Sequence, residues 1–327
     1  MPSVFFRGFL LAAVLAGFLA APIRQADAAD YPSRPVKVII PFAPGGVVDI
    51  MGRLLSQKLS EAFGTNFYVE NVGGAGGNIG VAKAANSPAD GYTLLMTSSS
   101  FVVNPTLHKK VPYDPYKDFA PVTIAAAAPN IIVVNTSDPA KSVRELVAEI
   151  RASPRKYSFA SSGTGTTPHL SGELFRLSFN LDMVHVPFTG AGPSLEATVG
   201  GHTPIAFSSL PSAVPLVKGG SLRALAVTSA ERVKALPDVP TLAEAGAPGQ
   251  EAETLLFVLF PSGTPKDIVQ LVHDAIGRIV QMPDIEKRLD TLGFRPMALT
   301  PEQTGARIKT EIALWAKVIH DANIQQQ

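Results

Sequence analysis

The chain has 327 residues, with 28 basic and 27 acidic side chains and no cysteine. A near-neutral balance without a basic block or a basic-aromatic stripe excludes the electrostatic footprint of a nucleic-acid-binding protein. The missing cysteine excludes disulfides and a lipid-modified N-terminal cysteine, so an exported protein of this size relies on its core.

The first segment, "MPSVFFRGFLLAAVLAGFLAAPIRQADAAD", has Arg7, an apolar run from Phe9 to Ala21, and Ala26 and Ala28 in an A-x-A pattern. This predicts a secretory signal peptide over residues 1–28, cut after Ala28, and a periplasmic location in a Gram-negative bacterium. The uncharged span between Arg7 and Arg24 contains Pro22 and is short for a membrane helix, which needs about 20 apolar residues. Processing leaves 26 basic and 26 acidic residues. A mature length of about 300 residues suggests two domains.

Thereafter one cadence repeats: apolar strand, small-residue loop, helix. "VKVIIPF" (36–42) reads as a strand ending in "APGG". The next helix carries Ile50, Leu54, Leu55, Leu59 and Phe63 on one face, with Gly64 as its stop. "NFYVEN", a glycine loop, a helix from about Asn78, and the strand "YTLLMTSSS" follow. "NIIVVN" (130–135) is a strand, and "SVRELVAEIRA" a helix. "YSFASSGTGTTPHLSGELFRLS" and "MVHVPFTGAGPSLEATVGG" each repeat the unit; "TPIAFSS" and "LRALAVTS" add strands. Two late helices open on Thr-Pro: Thr264 is expected as N-cap with Pro265 at N1, and Thr300 with Gln303 forms a capping box. The alternation predicts an α/β fold with mostly parallel sheets. Ligands in such folds sit beyond the carboxyl ends of strands. There lie loops 41–48, 72–78, 97–103, 161–168 and 188–193, rich in Gly, Ser and Thr. One group from each half suggests a cleft between domains.

"ENVGGAGGNIG" (70–80) concentrates five glycines, which suggests that backbone there approaches something closely. A dinucleotide fingerprint fails, because Gly74 and Gly76 would need a third glycine where Ile79 stands; no Gly-Lys pair completes a phosphate loop. What remains are exposed amides before a helix, which suit an anion. Catalytic groups are scarce. The six histidines, 108, 169, 185, 202, 273 and 320, lack metal-site spacing, so neither a metal nor a cofactor is expected. Ser162 and His169 are the pair a hydrolase could use, although "ASSGTG" is not G-x-S-x-G. His169 otherwise reads as a hydrogen-bonding residue beside a pocket. Asp49 is either a ligand contact or a carboxylate complementing a helix dipole; Arg53 reads as solvated and Trp315 as packing. Loops poor in charge and rich in amides and hydroxyls suit reversible binding of a carboxylate rather than catalysis.

These residues also carry a resemblance. "YPSRPVKVIIPFAPGGVVDIMGRLLSQKLSEAFG", "VENVGGAGGNIG", "DGYTLL", "PYDPYKDFAPVT", "YSFASSGTGTTPHLSGELF" and "LRALAVTSAERVKALPDVPTLAEAG" look like the Bug family, solute-binding receptors of tripartite tricarboxylate transporters. The resemblance implies a type II periplasmic-binding-protein fold of two α/β domains, here 29–130 plus 255–327 and 131–254. It implies a monomer that is not an enzyme, captures a small carboxylate, and hands it to inner-membrane permease components or presents it to a sensor protein. It places the carboxylate between Phe42, Ala43, Gly45 and Gly46 of "PFAPGG" and Ser162, Gly165, Thr166, Thr167 and His169 of "SSGTGTTPH". Asp49, Gly76, Gly77, Ser99, Ser100, Thr189, Gly190 and Ser208 complete the expected ligand contacts. Family members often carry Asp-Asn where this chain has Ser208-Ser209, and Ser-Asn where it has the serines of "TSSSFVVNP". The ligand's identity therefore does not carry over from a relative.

Overall fold

The computed structural model describes residues 31–153, 156–321 and 324–326, so the expected signal peptide lies outside the described residues. The first half begins β1 (Val36–Ile40), α1 (Val47–Phe63), β2 (Phe67–Asn71), a 3-10 turn (Ala75–Gly77), α2 (Asn78–Ala85), β3 (Thr93–Ser98) and α3 (Ser100–Leu107). A long strand, β4 (Phe119–Asn135), leads to α4 (Val143–Ala152), β5 (Tyr157–Ser161), α5 (Thr167–Ser178), β6 (Met183–Pro187), α6 (Ala191–Val199), β7 (Ile205–Ser209), α7 (Leu210–Lys218) and β8 (Leu222–Val227). The chain then returns through β9 (Glu253–Pro261), α8 (Lys266–Val280), α9 (Pro283–Leu292), β10 (Arg295–Pro296) and α10 (Pro301–Asp321).

The strands form one path, β2-β1-β3-β9-β4-β7-β5-β6, with β8 and β10 also pairing β4. The outer trios, β2-β1-β3 and β6-β5-β7, are parallel as the cadence predicts. Every pairing that involves β4 or β9 is antiparallel, which corrects the expectation of mostly parallel sheets. β4 is the cause. Its first part pairs with β9 up to Pro129, and from Asn130 onward it pairs with β7. One strand thus carries β9 and β10 on its first part and β7 and β8 on its second, all antiparallel.

Local signals explain most boundaries. Gly64 stops α1 at φ +66°, where only glycine is unstrained. The capping box forms: Thr300 N–H donates to Gln303 Oε1 at 3.0 Å, and Gln303 N–H to Thr300 Oγ1 at 3.2 Å. The other Thr-Pro start differs. Thr264 Oγ1 donates to the Pro261 carbonyl, and the helix begins at Lys266. Trp315 is packing, as expected, and its indole N–H donates to Glu311.

The first half buries a cluster around Phe101, which stacks on Tyr113 at 5.5 Å and meets Phe119 edge-on at 5.3 Å. The second half buries Phe159, Phe175 and Phe207. Phe101 is in the first turn of α3 and anchors that helix where it follows the serine-rich end of β3. Phe101→Ala should lower stability by about 3–5 kcal/mol through the cavity it leaves. Chemical denaturation should show a lower midpoint.

Candidate functional site

Four helices begin at one small cavity. Gly46, Val47 and Val48 bring the N-terminus of α1; Thr166, Thr167 and Pro168 that of α5; Ala191 that of α6; and Ser209 that of α7. None of these four N-caps is closed by a side-chain hydrogen bond. Helix N-termini present unpaired N–H groups and about half a positive charge each. Phe42, Ser98, Ser162 and Thr254 complete the wall, and no lining side chain is ionisable. The space is about 20 Å³, room for about one water molecule. Phe42 and Ser162 separate it from a second, outer depression of about 310 Å³, lined by Gly74 to Gly77, His108, Ser162 to Thr164 and Pro187 to Thr189.

The loop before α1 is held by a polar clamp. Asp49 Oδ2 accepts from Gly45 N–H at 3.0 Å and Arg53 Nε at 2.9 Å, while Oδ1 accepts from Asn71 Nδ2 at 2.9 Å. Asn71 also donates to the Phe42 carbonyl at 3.0 Å. Burial works to raise the Asp49 pKa, but the bonds from Arg53, Asn71 and Gly45 outweigh it and hold the carboxyl below its usual range. Asp49 therefore positions the loop through both oxygens and lies outside the cavity wall, and Arg53 is its partner rather than a purely solvated side chain.

The glycine-rich turn answers to a steric demand. Gly76 has φ +61°, and a Cβ there would overlap the Thr164 carbonyl oxygen. A Cβ on Gly163 would stand 2.9 Å from the Phe188 carbonyl oxygen, and one on Gly190 3.0 Å from Ala43 N. Ala43 N–H donates across to the Thr189 carbonyl at 3.1 Å. The close partner of Gly76 and of Gly190 is thus the backbone of the other half, whereas Gly163 meets the backbone of its own half.

Of the expected contacts, Phe42, Gly46, Ser162, Thr166 and Thr167 line the inner cavity, and Gly76, Gly77 and Thr189 the outer depression. The structure places the others elsewhere. Ala43, Gly45 and Gly190 pack loop against loop, and Gly165 lies against Asn104 and Leu107. Ser99 Oγ accepts from Leu255 N–H at 2.9 Å, and Ser100 Oγ faces Ser98 Oγ at 3.2 Å. Ser209, not Ser208, lines the cavity, because adjacent strand residues point to opposite faces.

His169 stands behind the wall. Its Nδ1 accepts from Gly165 N–H at 3.2 Å, and its ring stacks on His185 at 4.2 Å. His185 Nε2 and Ser161 Oγ are 2.7 Å apart. Among the described residues no hydrogen bond joins His169 to Ser162, so the hydrolase pair is not assembled. Burial, then the charge of His185 and of His108, pushes His169 down to about 3; burial pushes His185 down to about 4. Among the described residues, no cluster of three or more His, Cys, Asp or Glu could hold a metal ion.

A larger groove of about 880 Å³ lies on the far side of β9. Glu253 and Leu255 face the groove and Thr254 the cavity, so the two are back to back across one strand. Its lining carries carboxylates of Glu251, Glu253, Glu311 and Asp321, the wrong sign for an anion site.

The profile of the tripartite tricarboxylate transporter receptor family matches residues 51–324. The chain belongs to this family. The receptor is 36% identical over 305 residues to BugT of Bordetella pertussis, covering 93% of each chain. It superimposes with a TM-score of 0.88 on Rpa4515 of R. palustris with adipate, at 35% identity, over 90% of this chain and 99% of that one. It matches MatC from Rhodopseudomonas palustris with bound malate at a TM-score of 0.82 and 30% identity, over 88% and 100% of the chains. The α/β fold is also that of the periplasmic binding protein BugD, at a TM-score of 0.88 and 30% identity over 91% of this chain and 100% of that one, and no helix among the described residues is long and apolar enough to cross a membrane.

The histidine stack makes a pH prediction. Unfolded histidine titrates near about 6.5, whereas His169 and His185 stay neutral in the fold down to about 3 and 4. Between those limits the unfolded receptor binds more protons, so stability falls as pH drops from about 6.5. Melting curves from pH 7 to pH 4.5 should show a falling Tm. A double variant, His169→Gln with His185→Gln, should flatten that slope.

Proposed function

We propose that the receptor captures a small organic carboxylate between its two halves and delivers it to the membrane components of a tripartite transporter. One observation carries the reading: four helix N-termini without side-chain caps converge on a cavity with no ionisable wall. Such an arrangement accepts an anion through N–H groups and dipoles. It does not select a phosphate, because no cation faces the cavity to favour higher charge. Adipate on Rpa4515 and malate on MatC support carboxylates as the class. The reading places the mature protein in the periplasm, exported by residues 1–28. Its moving units are 29–130 plus 255–327 and 131–254, a division supported by the change of β4 partners at Asn130. A cavity of about 20 Å³ admits no multi-carbon acid unless its loops part, so capture requires opening and closure.

A ligand that binds only the folded state adds about 2.7 kcal/mol at a hundredfold excess over its Kd. A panel of small carboxylic acids should therefore contain some that raise Tm, while their amides and methyl esters do not. No shift across the panel, with protein stripped of copurified ligand, would overturn the reading.

Closure has its own test. Gly76→Val should keep the far-UV circular dichroism spectrum and weaken every carboxylate together, because the side chain holds the loops apart at Thr164. Calorimetric titration against several acids should show a loss of at least about tenfold, which is about 1.4 kcal/mol. Normal binding by the folded variant would count against closure at these loops.

A further inference from the structure

We propose that the groove behind β9 is a docking site for a basic amphipathic helix of a partner protein. The proposal does not depend on what the inner cavity holds.

Shape makes the first argument. One stripe of α10 runs along the groove, with Arg307, Glu311, Leu314, Trp315, Val318 and Asp321 in its lining. From residue 307 to residue 321 the helix rises about 21 Å. A second helix of that length and about 10 Å in diameter, sunk to half its depth, displaces about 800 Å³. The groove offers about 880 Å³. α5, from the second half, brings Leu174 and Leu177, so an occupant touches both halves at once. Leu177 and Leu314 are 38% and 49% exposed. Large apolar side chains left open in one groove mark a surface that gains by being covered.

Charge makes the second. Glu251, Glu253, Glu311 and Asp321 line the groove against one cation, Arg307. Glu311 is buried and already satisfied, by Arg307 Nε at 2.8 Å and the Trp315 indole at 3.0 Å. Arg295 meets Glu253 at 2.6 Å, and Lys317 pairs with Asp321. Both cations are exposed, and such surface pairs contribute little and exchange readily. Glu251 is exposed and makes no hydrogen bond or ion pair among the described residues. An apolar floor beside carboxylates fits a helix with leucine-like residues on one face and Lys or Arg flanking them.

Other occupants fit less well. The carboxylates repel an anionic lipid surface. A second copy of the chain has no free helix to lend, because the amphipathic helices α4, α8 and α9 bury their apolar faces in their own core.

The probe is a labelled peptide of about 18 residues, leucine and lysine only, with leucines at i, i+3, i+4 and i+7. One control has the same composition in scrambled order; the other has glutamate for every lysine. By fluorescence anisotropy the mature chain should bind the patterned lysine peptide at least about tenfold tighter than either control. Trp315 is the only tryptophan and lines the groove, so its emission should change as the site fills. Leu177→Arg and Leu314→Arg, with unchanged circular dichroism, should each weaken the peptide at least about tenfold. Glu251→Lys should weaken the lysine peptide and strengthen the glutamate one. Val184→Arg, at a 57% exposed position on β6, should change nothing. Equal binding of patterned and scrambled lysine peptides would overturn the proposal, since charge alone would then explain it. So would no binding of the patterned peptide, or binding that leaves Trp315 emission unchanged or that both leucine variants keep. Dimerisation of the free chain that Leu314→Arg abolishes would also overturn it, and would make a second copy the occupant.

Discussion

At Asn130 the strand β4 leaves one partner and takes another, and the site is assembled around that change. A buried strand that switches ladders must keep its polar groups paired, because an orphan costs about 1–3 kcal/mol. Thr228 meets the demand at the main chain: Asn130 N–H donates to its hydroxyl at 2.8 Å, and its N–H donates back to the Asn130 carbonyl at 2.9 Å. The Asn130 side chain donates to Ser171 at 3.0 Å and accepts from Thr254 at 3.2 Å. Thr254 in turn meets Thr167 of α5, and both line the inner cavity. The same network that lets one strand serve two halves therefore sets the hydroxyls of the cavity.

Dipoles in place of cations have energetic consequences. A guanidinium facing a buried carboxylate gives a strong pair, and removing one partner leaves a buried charge. Helix ends have no such unpaired state, since their N–H groups can be met by water when the loops part. Each end contributes only about 0.3–1 kcal/mol, up to about 2 when partly buried. On the proposed reading, four together hold an anion without trapping it, a balance suited to a protein that must also let go.

Much of this was legible in the sequence, and the gaps have physical causes. A β-branched run located β1, the repeated strand–loop–helix cadence located β5 and β8, and Gly64 and the Thr300–Gln303 box marked helix ends. The first part of β4 was missed because "APVTIAAAAP" mixes prolines with alanines, which carry no period-two signal. Helix α3 was taken as loop because Pro105 stands inside it. β9 was passed over, and Thr254 with it. Paired serines at strand ends carry no phase, so Ser98 and Ser209 could not be told from Ser99 and Ser208. Asn71 was invisible for another reason: it acts through contacts 18 residues or more away in sequence.

The facing loops meet through bare backbone where Gly76 approaches the Thr164 carbonyl and where Ala43 N–H donates to the Thr189 carbonyl. Such a seam of backbone contacts fits closely in shape and adds no side-chain apolar area of its own, and adhesion by burial scales with apolar surface. It behaves as a latch without a spring: it specifies one seated position very narrowly and resists leaving it very little. A few bonds to a captured molecule are then enough to decide whether the latch stays seated, and their loss is enough to free it.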